Sequence, residues 1–137
     1  MTAAALINID VDDLGRAVSF YTCAFGLKVG RKLAPAAIEL LGGGSPIYLL
    51  ETPAGSGATP ATQDTRHYGR HWTPVHLDFV VPHLEPAIDA ALAAGALLEV
   101  PAAEHPWGRI ARFADPFGHG FCLIEFSSRG YDAIVID

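Results

Sequence analysis

Residues 6–26 read LINIDVDDLGRAVSFYTCAFG and residues 76–95 read HLDFVVPHLEPAIDAALAAG. In the first stretch Ile7, Ile9 and Val11 alternate with Leu6, Asn8 and Asp10, the two-residue period of a strand that buries one face. The period then lengthens: Leu14, Ala17, Val18, Tyr21 and Phe25 recur at helical spacing. Asp12 or Asp13 stands where such a helix needs an N-cap, and Gly26 where it ends. The second stretch repeats the change of period, with a strand over 75–81 and a helix from His83 or Glu85 to Ala94, closed by Gly95.

Working outward, three strands are expected after each helix, at about 28–33, 36–41 and 47–51, and at about 96–100, 108–114 and 120–126. Sliding one half over the other sets Leu6 on His76 and Leu14 on Leu84, and sets Ile47-Tyr48-Leu49-Leu50-Glu51 on Phe121-Cys122-Leu123-Ile124-Glu125. The chain therefore reads as two βαβββ modules. The fold class is α+β, with curled mixed sheets forming a cup and the helices outside. One domain is expected over residues 1–137, with module one at about 5–51, a connection at 52–73, module two at about 74–127 and a C-terminal tail at 128–137. The connection is longer than an ordinary loop and reads as a lid or a linker. Two repeats predict a pseudo-twofold fold, since a solenoid needs at least three.

Composition narrows the function classes. The chain has 137 residues, half of them hydrophobic, enough for a core without metal or disulfide staples. Nine Lys and Arg stand against fifteen Asp and Glu, for a net charge of −6, so the electrostatic footprint for a phosphate backbone is missing and no nucleic-acid partner is expected. No apolar run reaches the roughly 18 to 20 residues that span a bilayer, and the opening MTAAAL lacks a basic leader, so a cytoplasmic protein without a membrane partner is expected. Cys23 and Cys122 lie far apart and outside any CxxC spacing, which predicts reduced thiols.

The segments IDVDDLGRAVSFYTCAFGL, VHLDFVVPHLEPAIDAALAAGA and WGRIARFADPFGHGFCLIEF together resemble the vicinal oxygen chelate superfamily, which includes glyoxalase I, extradiol dioxygenases, and fosfomycin- and bleomycin-resistance proteins. The resemblance covers nearly the whole chain, apart from the central connection and the last nine residues. In metal-dependent members it implies ligands at four positions, which fall here on Leu6, Tyr48, His76 and Cys122. Of these only His76 is a usual ligand, and leucine carries no donor at all. The departure implies the metal-free, bleomycin-resistance-like branch, with no cofactor, a homodimer, and a bulky or aromatic small molecule held in the cup. Pro106-Trp107-Gly108-Arg109 leading into Asp115-Pro116-Phe117-Gly118 looks like the same branch.

Strand parity places Asn8, His76 and Asp78 on the cup side. His76 and Asp78, two apart on one face, are candidates for an acid–base pair in which the carboxylate orients the imidazole, or for a structural polar network. Asn8 is the repeat equivalent of Asp78. Tyr48, Trp72 and Trp107 offer flat amphipathic area for an aromatic ligand, and Arg109 stands beside Trp107. Trp72 closes the basic and aromatic run from Arg66, which reads as an anion or ring clamp or as a solvated loop. Cys122 is expected to be a buried, inert thiol. The expected function is small-molecule binding or sequestration. The alternative is a lyase, isomerase or dioxygenase-like enzyme using His76 with Asp78 or a divalent metal.

Overall fold

A computed structural model describes all 137 residues, Met1–Asp137. The elements run β1 (Ile7–Val11), α1 (Leu14–Phe25), β2 (Lys28–Ala34), β3 (Ala37–Leu41), β4 (Ile47–Glu51), β5 (Leu77–Val80), α2 (Leu84–Ala94), β6 (Leu97–His105), β7 (Gly108–Ala114) and β8 (Gly120–Phe126), followed by a 3₁₀ turn at Gly130–Ile134. They form two compact units, residues 1–69 and 70–137. Each unit is one βαβββ module with a four-stranded mixed sheet, ordered β1-β4-β3-β2 in the first and β5-β8-β7-β6 in the second. In each, the first strand runs parallel to the last, and the three later strands pair antiparallel.

The helices form where the sequence changes period, and the same device anchors both. Asp13 caps α1 by accepting from the Arg16 amide at 3.0 Å. The Leu14 amide, the first of the helix, donates to Glu51 Oε2 at 2.7 Å, and the Leu84 amide donates to Glu125 Oε2 at 2.7 Å. Glu51 and Glu125 are repeat equivalents. Each brings a carboxylate from the end of its module's last strand to the positive end of the helix dipole. Gly26 and Gly95 end the helices in left-handed conformation.

Helix-side positions make the core of each unit. Ile9, Val11, Leu40, Ile47 and Leu49 are buried with Leu14, Ala17, Phe20 and Tyr21 of α1, and Phe113, Phe121 and Leu123 are buried with Leu84 and Ala91 of α2. Phe113 and Phe121 stack across β7 and β8 at 5.2 Å. Asp115 is also buried, because its carboxylate accepts the Phe117 and His119 amides at 2.8 and 2.9 Å and so closes the Asp115-Pro116-Phe117-Gly118 turn.

Two strand limits depart from expectation. β6 runs to His105 instead of stopping near Val100, and β5 begins at Leu77, leaving Val75 and His76 outside the ladder. The connection divides: residues 52–69 belong to the first unit. There Gly57 bridges Thr65, Arg66 donates to Asp10 Oδ2 at 2.7 Å and to the Gly57 carbonyl at 2.5 Å, and the Tyr68 hydroxyl donates to the Thr52 carbonyl at 2.6 Å. That part is a strap bound to its own module.

Candidate functional site

In the second unit, strand pairing sets Asp78 of β5, Cys122 of β8 and Arg112 of β7 in one row. Glu125 reaches the start of α2, so the odd positions of β8 face the helix and the even ones, Cys122 among them, face away. His76 shares the parity of Asp78 and lies just ahead of β5. Its Nε2 is 3.3 Å from Asp78 Oδ1, within ion-pairing reach when the imidazole is protonated. The donor atoms of His76, Asp78 and Cys122 all lie within 4.8 Å of one another.

Trp72 lies against the His76 end of this group. Its ring lies 4.6 Å from the His76 ring, with the Arg112 guanidinium carbon 4.8 Å and the Arg70 guanidinium carbon 5.7 Å from the indole centroid. The indole can sit there only because residue 120 is glycine: a Cβ on Gly120 would fall 2.1 Å from Trp72 Cε3. Beside it His71 and His119 share a hydrogen bond of 2.9 Å between ring nitrogens, and Arg70 forks onto Glu99 with two bonds of 2.5 Å.

Burial pushes the Cys122 thiol above its ordinary range. The charge of Asp78 and the hydrogen bond its carboxylate accepts from the thiol act in the same direction, while a hydrogen bond from Arg112 opposes them. A fixed positive charge, the Arg112 guanidinium, thus stands beside the thiol. One imidazole, one carboxylate and one thiol, which would lose its proton on coordination, are at most three donors, and the fixed positive charge of Arg112 in the same row works against a cation there. In the first unit the equivalent of His76 is Leu6, which offers no donor.

The first unit repeats the row with different chemistry: Asn8 pairs with Tyr48 and Tyr48 with Glu39. The Tyr48 hydroxyl donates to Glu39 Oε2 at 3.1 Å, and Arg31 forks onto the same carboxylate at 3.0 and 2.7 Å. Hydrogen bonds from Arg31 hold the Glu39 carboxyl down to about 2. Glu39 is 4% exposed yet remains ionised because that fork replaces its water.

The structure brings together His76, Asp78 and Trp72 in the second unit, and Asn8 and Tyr48 in the first. It does not bring Trp107 and Arg109 to the first of these groups. Trp107 stacks on His105 at 5.1 Å and meets Phe126 and Tyr131, at the end of β8 opposite Gly120, which is roughly 20 Å away along a strand rising about 3.3 Å per residue. Arg109 lies on the helix face, bonded to Glu85 of α2 and to Glu125. Arg112 and Glu39 went unnoticed in the sequence. Parity could have found Arg112: with Phe113 read as core, its neighbour must point the other way.

A family model described as a glyoxalase-like domain matches residues 6–124, a span that runs through both modules. The chain belongs to the glyoxalase-like domain family. This glyoxalase-like chain is 31% identical over 129 residues to the anthracycline biosynthesis protein DnrV of Streptomyces peucetius, covering 93% of the chain and 42% of that relative's length. It thus spans less than half of the curated relative it matches. Among solved structures it resembles a glyoxalase-related enzyme from Fulvimarina pelagi, with a TM-score of 0.71 at 21% identity over 91% of this chain and 88% of that one. It also resembles the fosfomycin resistance protein FosX of Listeria monocytogenes, with a TM-score of 0.69 at 20% identity over 94% and 97% of the two chains. At these identities the likeness establishes the glyoxalase-like fold. No helix is long and apolar enough to cross a membrane.

Proposed function

We propose that this glyoxalase-like protein binds or sequesters a bulky or aromatic small molecule without a metal cofactor, as a cytoplasmic homodimer. The observation that carries the reading is the make-up of the positions where the family's metal-dependent members place ligands: Leu6 offers no donor, and Cys122 is buried with Arg112 beside it in the row. Trp72, 40% exposed above the same row, supplies apolar surface. His76 and Asp78 orient polar groups of the ligand, and Asn8 and Tyr48 offer the same service on the first unit. The relation to an anthracycline biosynthesis protein is consistent with a polycyclic aromatic ligand.

The test is thermal denaturation in chelator with planar compounds of naphthalene to anthraquinone size. A binder raises Tm in proportion to the logarithm of ligand concentration. Trp72→Ala is expected to abolish that rise, and the absence of any rise across the series overturns the reading. A second reading, an enzyme with His76 as general base, is favoured by the 3.3 Å approach of Asp78 to its ring. For that reading His76→Ala removes turnover while ligand binding persists.

A further inference from the structure

The arginines of this protein differ in what they touch. Arg31 is bound to Glu39, Arg66 to Asp10, Arg70 to Glu99, and Arg109 to Glu85 and Glu125. Arg112 enters no ion pair. Glu99 lies close enough for Arg112 to help hold it ionised, but both Glu99 oxygens are already forked by Arg70. Arg112 is exposed, on the face of the second sheet turned away from α2 and in the row that holds Asp78 and Cys122. Its guanidinium carbon lies over the Trp72 indole, 4.8 Å from the ring centroid, and the group also hydrogen-bonds the Cys122 thiol. A ring below restricts the planar group, and of its five N–H donors those not taken by Cys122 remain on an exposed side chain, where a fork of two can grip an oxyanion. The corresponding position on the first sheet is Glu39, already closed by Arg31 and Tyr48.

We infer that Arg112 is a specificity-determining residue that selects ligands carrying an oxyanion beside an aromatic ring, so that the ligand class is aromatic acids. This rests on the binding reading above and narrows it. The acid group forks onto Arg112 and the ring lies against the exposed part of Trp72. At the other end of the row Asp78 favours a donor on the ligand and repels a second acid. Selection is therefore for one anionic group, not for anions in general.

The test compares 2-naphthoate with 2-naphthamide, two probes of nearly equal shape and different charge, by titration calorimetry in chelator. A hydrogen-bonded pair involving a charged group contributes about 1.5 to 3 kcal/mol, which corresponds to a preference of about tenfold or more for naphthoate. Arg112→Gln is expected to bring the ratio of the two affinities close to one, and Arg112→Lys, which keeps the charge without the fork, to leave an intermediate ratio. Equal affinities in the parent protein, or a naphthoate preference that survives in Arg112→Gln, overturn the inference and leave the binding reading standing. Failure of both probes to bind, with Tm unmoved across the aromatic series, overturns both.

Discussion

At Gly120 a methyl group would fall 2.1 Å from Cε3 and 2.2 Å from Cζ3 of Trp72, far inside contact distance, so the ring must leave if the methyl enters. Gly120→Ala is accordingly expected to release Trp72 from His76 and Arg112 while the strand itself persists. In a Trp107→Phe background, where Trp72 is the remaining tryptophan, the change reads as a red shift of emission and loss of near-ultraviolet circular dichroism, with the far-ultraviolet spectrum retained. An unchanged emission spectrum would show that Trp72 does not rest on the sheet. Core residues behave differently, because the loss there is of packing. Phe113 is fully buried against Phe121, and Phe113→Ala is expected to cost about 3–5 kcal/mol in urea denaturation.

The two helices begin with the same carboxylate contact but different caps. Asp13 accepts the Arg16 amide, whereas His83 makes no side-chain cap bond at the start of α2. Asp13→Ala is expected to destabilise by about 1 kcal/mol, whereas His83→Ser is expected to be near neutral, because Leu84 N–H is taken by Glu125, Glu85 N–H by its own carboxylate, and Pro86 has no N–H to cap. A stabilisation of about 1 kcal/mol by His83→Ser in urea denaturation would show that one of these amides lacks its partner. These elements were legible in the sequence because a change of period, an acidic cap and a closing glycine agreed with one another twice over. The extent of β6 was not. Pro101 reads as a strand stop, yet β6 has β7 alone as a neighbour, and an edge strand tolerates a residue without an N–H. Its pairing continues to His105 through two register shifts. The site was partly legible for a similar reason: parity placed Asn8, His76 and Asp78, but nothing local showed that Arg109 would be taken by Glu85 or that Arg112 would be left without a carboxylate.

Across the molecule, four carboxylates titrate below their ordinary range. Glu39 is held to about 2 by hydrogen bonds from Arg31, and Glu85 to about 2 by Arg109. Glu125 is lowered by the Leu84 amide and then Arg109, and Glu99 by Arg70. A depressed folded-state value contributes stability above the unfolded-state value, and that contribution is lost as the pH falls through the folded one. The urea midpoint is therefore expected to hold near neutrality and to decline from about pH 4.5 toward pH 2, with a shallower decline in Glu39→Gln. A midpoint constant from pH 6 to pH 3 would contradict these pairings. On the proposed reading, the row of His76, Asp78 and Cys122 serves a ligand and not a metal. The most direct test is elemental mass spectrometry of untagged protein after separate exposure to Ni, Zn, Mn and Fe and desalting. Well under one equivalent of any of them per chain is expected. Close to one equivalent per chain, lost in His76→Ala, would contradict it.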